Sequence, residues 1–186
     1  MKRLWLLLAA VFVFSFVILG WIGAEIFRQV PPIPKQVVTT TGEIFIPDHA
    51  VLDGQNVWQA MGGMQVGSIW GHGSYVAPDW TADYLHREAL FILDDWSAGR
   101  YSAGTLSSDE QAVFKQRLQD LVRNNTFNET TGAITVDPIR QRAFESNLAH
   151  YTDVFSNGSK EYAIQKNAQS DPAKLRQLNS FFFWTA

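Results

Sequence analysis

Four histidines, at positions 49, 72, 86 and 150, are the side chains best suited to hold a metal or move a proton near neutral pH. Their spacing argues for neither role. No two stand at i,i+4, no His-Glu-x-x-His run occurs, and no carboxylate falls at ligand spacing, so ordinary loop and surface histidines are expected. Ser74 lies in Gly73-Ser74-Tyr75, which lacks the Gly-x-Ser-x-Gly elbow of a nucleophilic serine. Asp94-Asp95 resembles a carboxylate pair, but adjacent residues on a helix point in different directions, and a solvated helix face is the expectation. Asn124, Asn128 and Asn157 head Asn-x-Ser/Thr triplets, which carry glycans only in a eukaryotic secretory setting. The complete lack of cysteine removes disulfides, thiolate metal sites, a cysteine nucleophile and a haem tethered through Cys-x-x-Cys-His. Fifteen Lys+Arg against eighteen Asp+Glu leave a net charge of -3, too acidic for a phosphate-neutralising surface, so no nucleic-acid partner is expected. Nothing in this inventory is a self-sufficient active site.

The elements that would position these residues are clearer. From Leu4 to Ala24 no charged residue occurs, and at about 1.5 Å per residue that run spans the ~30 Å of a bilayer core. It exceeds the ~7–15 apolar residues of a cleaved signal peptide and ends without a small-x-small site, so residues 1–27 read as a retained transmembrane anchor. Lys2 and Arg3 before it predict a cytoplasmic N-terminus and place the bulk of the chain outside. Residues 28–179 form the extramembrane domain. Pro31, Pro32 and Pro34 make a stiff exit from the membrane, and Gly42–Pro47 alternates as a short strand. A short helix is predicted over Asp53–Met61, followed by a glycine-rich loop.

Thr81–Ser97 carries Leu85, Ala89, Ile92, Leu93 and Trp96 at helical spacing. Ser107 and Glu110 form a capping box for a helix whose buried stripe is Phe114, Leu118, Leu121 and Val122. A hairpin is expected from Thr126 to Val136, then a helix from Pro138 to about Phe155, broken at Asn157-Gly158 and resumed from Lys160. The chain closes on Phe181-Phe182-Phe183-Trp184-Thr185-Ala186. A soluble domain has little reason to expose four consecutive aromatics, so residues 180–186 are expected to begin a second, truncated transmembrane helix; the alternative is a tail folded back onto the domain. The expected fold class is therefore mainly α with a small β element and one N-terminal transmembrane helix.

The run from Val57 to Trp80, VWQAMGGMQVGSIWGHGSYVAPDW, resembles the N-terminal region of the quinol-dependent nitric oxide reductases, single-chain members of the haem-copper oxidase superfamily. The resemblance extends through Trp80–Glu88 and covers essentially the whole chain, implying a cytochrome-c-like domain in the periplasm, anchored in a bacterial inner membrane. In related two-subunit enzymes a haem c is held by Cys-x-x-Cys-His between the Val-Trp pair and a Gly-x-Gly-x-Tyr-x-Ala-Pro run. Ungapped counting places Gly63, Val66 and Gly67 where those cysteines and the axial histidine would stand. The resemblance thus implies a domain without haem, its vacated volume filled by bulky side chains, for which Trp58, Met61, Met64, Trp70 and Trp80 are the candidates.

By the same resemblance, the parent enzyme oxidises quinol and passes electrons through haem b to a centre of haem b3 and non-haem iron, where two NO become N2O and water, a reaction of denitrification. Those metals are ligated by histidines on later membrane helices, so neither catalytic nor haem-binding residues are expected in this chain. Its partners would be the lipid bilayer and the catalytic membrane part, with room left for a homodimer. The resemblance also points to calcium, bound through the backbone carbonyls of Gly73 and Tyr75, although two carbonyls alone make no site for a cation wanting 6–8 oxygens. A membrane-tethered periplasmic sensor or binding module, and a structural assembly subunit, are the competing readings of the same anchor and acidic domain.

Overall fold

The computed structural model describes residues 2–71 and 77–186, which separate into two units, Met1–Pro32 and Ile33–Ala186. The first is a single helix, α1 (Lys2–Arg28), long and apolar enough to cross a membrane, with Leu, Val, Phe and Trp side chains exposed all along it.

The second unit is mostly helical around a small mixed sheet. Its elements are β1 (Gln36–Thr39), β2 (Ile44–Ile46), α2 (Ala50–Ala60), α3 (Trp80–Trp96), α4 (Ser108–Arg123), β3 (Phe127–Asn128), β4 (Ala133–Val136), α5 (Pro138–Asn157) and α6 (Pro172–Thr185). The strand order is β2-β1-β4-β3, with β1 and β4 parallel, Val37 opposite Ile134, and the outer pairs antiparallel. Helices α2, α3 and α4 lie in the crossover between the parallel strands.

Local chemistry sets the helix starts. Asp79 accepts from Ala82 N at 2.8 Å, Asp137 from Ile139 N at 2.9 Å and Asp171 from Ala173 N at 2.9 Å. Pro138 and Pro172 occupy first-turn positions where no amide is needed. The Ser107/Glu110 capping box is present in both directions, at 3.2 and 2.9 Å. The expected hairpin is β3–β4. The face of α3 differs in part from its expected stripe: Trp80, Tyr84, Glu88 and Ile92 are fully buried, while Leu85 is exposed.

One expectation is corrected. The helix predicted to resume at Lys160 does not, because Gly158, Ala163 and Asn167 all take positive φ and fold residues 159–170 into turns that end at Pro172. Residues 180–186, which include the four consecutive aromatics, lie on α6 and its C-cap. Phe181, Phe182 and Phe183 are 3%, 0% and 5% exposed and pack into the core. Successive helical residues point about 100° apart, so three adjacent rings reach three different neighbours. Phe181 meets Trp58 of α2 (centroids 5.8 Å), Phe182 stacks on Trp80 of α3 (5.2 Å, 14°), and Phe183 meets Phe45 at the sheet (5.7 Å). Each buried ring contributes roughly 1.5–3 kcal/mol.

Helices α2 and α6 touch at backbone distance through Gly54. A Cβ there would collide with the Gln177 carbonyl oxygen and stand 2.8 Å from Phe181 Cβ. Alanine gains about 1 kcal/mol in helix propensity, but overpacking costs about 1–3 kcal/mol, and backbone cannot swing aside. Gly54→Ala is expected to lower the urea midpoint of the chain; an unchanged or raised midpoint would contradict this crossing.

Candidate functional site

The segment after α2 turns back beneath the N-terminus of α3. Ser68 N donates to Pro78 O (3.0 Å), Trp80 N to Ser68 O (2.9 Å), and Ser68 Oγ to Asp79 Oδ2 (2.8 Å). This lacing presses Gly67, at φ 139°, onto the indole of Trp80. A Cβ on Gly67 would fall on Trp80 Nε1 and stand 2.6 Å from Cε2 and 2.9 Å from Pro78 O. From the other side, Trp58 Nε1 donates to Gly67 O at 3.3 Å. No side chain of any kind fits at position 67 without moving α3.

Trp80 is fully buried, ringed by Tyr151 (5.8 Å), Phe155 (5.2 Å), Tyr162 (5.8 Å) and Phe182 (5.2 Å). Of the five side chains expected to fill the interior, Trp58 and Trp80 do so and Met61 packs at the edge. Met64 and Trp70 do not. Met64, in the short 3-10 turn Gly63–Gln65, is 43% exposed; Trp70 is 50% exposed because its backbone takes a left-handed turn (φ 56°). The Trp70 indole instead donates to Thr185 O (3.0 Å) and lies against Trp184 (5.6 Å).

Two polar clusters flank this aromatic centre, and sequence reasoning missed both. In one, Arg140 Nε and Nη2 donate to Glu88 Oε1 (2.7 Å) and Oε2 (3.1 Å), with Glu88 fully buried and the guanidinium 4.8 Å over the Phe183 ring. Burial works against the Arg140 charge, but the charge and hydrogen bonds of Glu88 outweigh it and raise the pKa. A glutamate at i+4 from Tyr84 and i−4 from Ile92, on an apolar face, was the available signal.

In the other, Asp83 of α3 accepts from Tyr162 Oη (2.8 Å), Tyr151 Oη (2.9 Å) and Arg87 Nε (3.0 Å), while Arg87 Nη2 donates to Tyr162 Oη. Burial raises the pKa of both tyrosines, so both hydroxyls keep their protons near neutral pH. His150 packs edge-on against both rings, and burial, then Arg87, lowers its pKa. The i,i+4 spacing of Asp83 and Arg87 was visible; the two tyrosines, far along the chain, were not.

The remaining candidates are dispersed. His49 sits exposed beside Asp48, His86 is exposed, and His72 lies outside the described residues, as do Ser74 and the calcium candidates Gly73 and Tyr75. Among the described residues no group of three or more His, Asp or Glu is placed to hold a metal. Asp94 and Asp95 diverge as expected: Asp94 accepts from Ser102 N (2.9 Å) and Asp95 pairs with Arg142 (2.7 Å).

Residues 34–186 match the family model of the NorB cytochrome c-like domain of nitric oxide reductase. The chain belongs to this family. No curated protein matches the chain.

The buried ion pair gives a test of the cytochrome c-like domain's packing. Glu88→Ala strands the Arg140 guanidinium and should cost about 3–5 kcal/mol, whereas Glu88→Leu with Arg140→Met should recover most of that. Denaturant titration of both variants checks this; equal losses would show that packing, not the stranded charge, sets the cost.

Proposed function

We propose that this domain is the membrane-anchored, haem-free cytochrome c-like part of a quinol-dependent nitric oxide reductase, serving as a structural cap on the outer face of the catalytic membrane part. The observation that carries this reading is the closure of position 67. In the haem-bearing arrangement an axial histidine would stand there, yet Trp80 lies in contact with the Gly67 backbone and Trp58 holds it from the other side. The residues do not fit a covalently held haem: Gly63 and Val66 stand at the attachment positions, and the sequence has no cysteine.

Without that haem, electrons from a soluble cytochrome have no entry through the domain, and a membrane-soluble quinol is the donor of choice. The two electrons and two protons that convert two NO to N2O and water then enter within the membrane. Haem b, haem b3 and non-haem iron would be held by membrane segments outside these residues. Helix α1 would anchor the domain, and Lys2 and Arg3 favour a cytoplasmic N-terminus with the domain in the periplasm.

The test is the donor preference of the complete protein carrying this domain. NO consumption is expected with a reduced quinol analogue and not with reduced soluble cytochrome c. Equal turnover with cytochrome c, or none with quinol, would overturn the reading.

A further inference from the structure

We propose that Tyr162 and Tyr151, sharing the carboxylate of Asp83, form a one-electron oxidation site that draws oxidising equivalents out of the aromatic core, with Tyr162 the residue on which they come to rest. This does not depend on the electron donor proposed above.

A phenol loses an electron readily only when its proton can leave at the same moment, because the protonated radical is a very strong acid. Both hydroxyls already point at one acceptor, Tyr162 Oη at Asp83 Oδ1 (2.8 Å) and Tyr151 Oη at Oδ2 (2.9 Å). The proton therefore moves along an existing hydrogen bond. Arg87 donates to both Asp83 and Tyr162 Oη, which fixes the geometry and leaves a donor on the phenolic oxygen after the proton has gone.

Trp80, the most enclosed indole of the core, contacts both tyrosine rings at 5.8 Å, so a hole formed on it has two neighbours able to deprotonate. Tyr162 is the outer of the pair, 8% exposed against 0% for Tyr151. A surface groove of about 390 Å³, lined by Arg87, Phe91, Asn147 and His150, opens beside the cluster.

The other described tyrosines lack the arrangement. Tyr84 Oη is buried with no hydrogen-bond partner among the described residues, and Tyr101, though more exposed, has no carboxylate at its hydroxyl. With nitrogen dioxide radical as oxidant, the step is transfer of one electron from the phenol to give nitrite, with the phenolic proton passing to the Asp83 carboxylate. This leaves a neutral phenoxyl radical and a carboxylic acid. A second nitrogen dioxide then adds to the ring carbon beside the oxygen. Loss of that carbon's proton restores the aromatic ring as nitrotyrosine.

The experiment exposes the full chain in detergent, with Tyr75→Phe as background, to nitrogen dioxide radical from pulse radiolysis. It follows phenoxyl absorbance and maps nitrated tyrosines by mass spectrometry. Tyr162 should be nitrated ahead of the more exposed Tyr101, and phenoxyl formation should be slower in heavy water. Asp83→Asn should slow phenoxyl formation about a hundredfold, the lower end of what a positioned proton acceptor contributes. Tyr162→Phe, which removes one oxygen atom, should leave the helical circular dichroism intact while abolishing the main nitrated peptide. Nitration that ranks by exposure in the unaltered cluster, with Tyr101 first, would overturn the proposal whether or not Asp83→Asn folds. So would a phenoxyl rate that Tyr162→Phe leaves unchanged.

Discussion

The stack of Phe182 on Trp80 is the contact on which the domain turns, because it joins the last helix to the helix that carries both polar clusters. Around it, Phe181 and Phe183 extend the same helix to α2 and to the sheet, so one turn of α6 touches most of the core. Burial of that turn accounts for Gly54 in α2: only a residue without a side chain lets the two helix backbones come together. Gly67 follows the same rule at Trp80, where a Cβ would run into Nε1 and Cε2 of the indole. Two glycines and one tryptophan thus set the spacing of three elements.

Charged groups within this apolar frame are placed in pairs. Glu88 and Arg140 satisfy one another through a bidentate bridge beneath Phe183, and Asp83 gathers two hydroxyls and a guanidinium at the edge of the same core. Removing charges from water is costly, so each is stable only with its partners in place. The clusters therefore fix the register of α3 against α5 in a way that interchangeable aromatic contacts do not.

Much of this is legible in the sequence where the signal is local. The capping box at Ser107 and Glu110, the proline start of α5, the β3–β4 hairpin and the long apolar helix at the N-terminus each depend on residues close together in the chain, and the structure contains all four. Pairing across long separations leaves no such trace. β1 escapes detection because Gln36–Thr39 is short and finds its parallel partner nearly a hundred residues later, an interaction no window covers. The partners of the phenylalanine run are equally out of reach of the sequence, because hydrophobicity alone does not say that Phe181, Phe182 and Phe183 meet α2, α3 and the sheet. The same limit hides the Asp83 cluster, whose hydroxyls come from α5 and from the turns after it. What sequence does locate is the glycine-rich stretch that includes Gly63, Val66 and Gly67, whose Gly67 lies against Trp80.

We propose that aromatic packing takes the place of a porphyrin in this cytochrome c-like domain. Expression of the full chain together with a cytochrome c maturation system, followed by purification and measurement of haem absorbance and iron, tests it directly. The account predicts a colourless protein with no Soret band. A red protein carrying stoichiometric haem iron would contradict it.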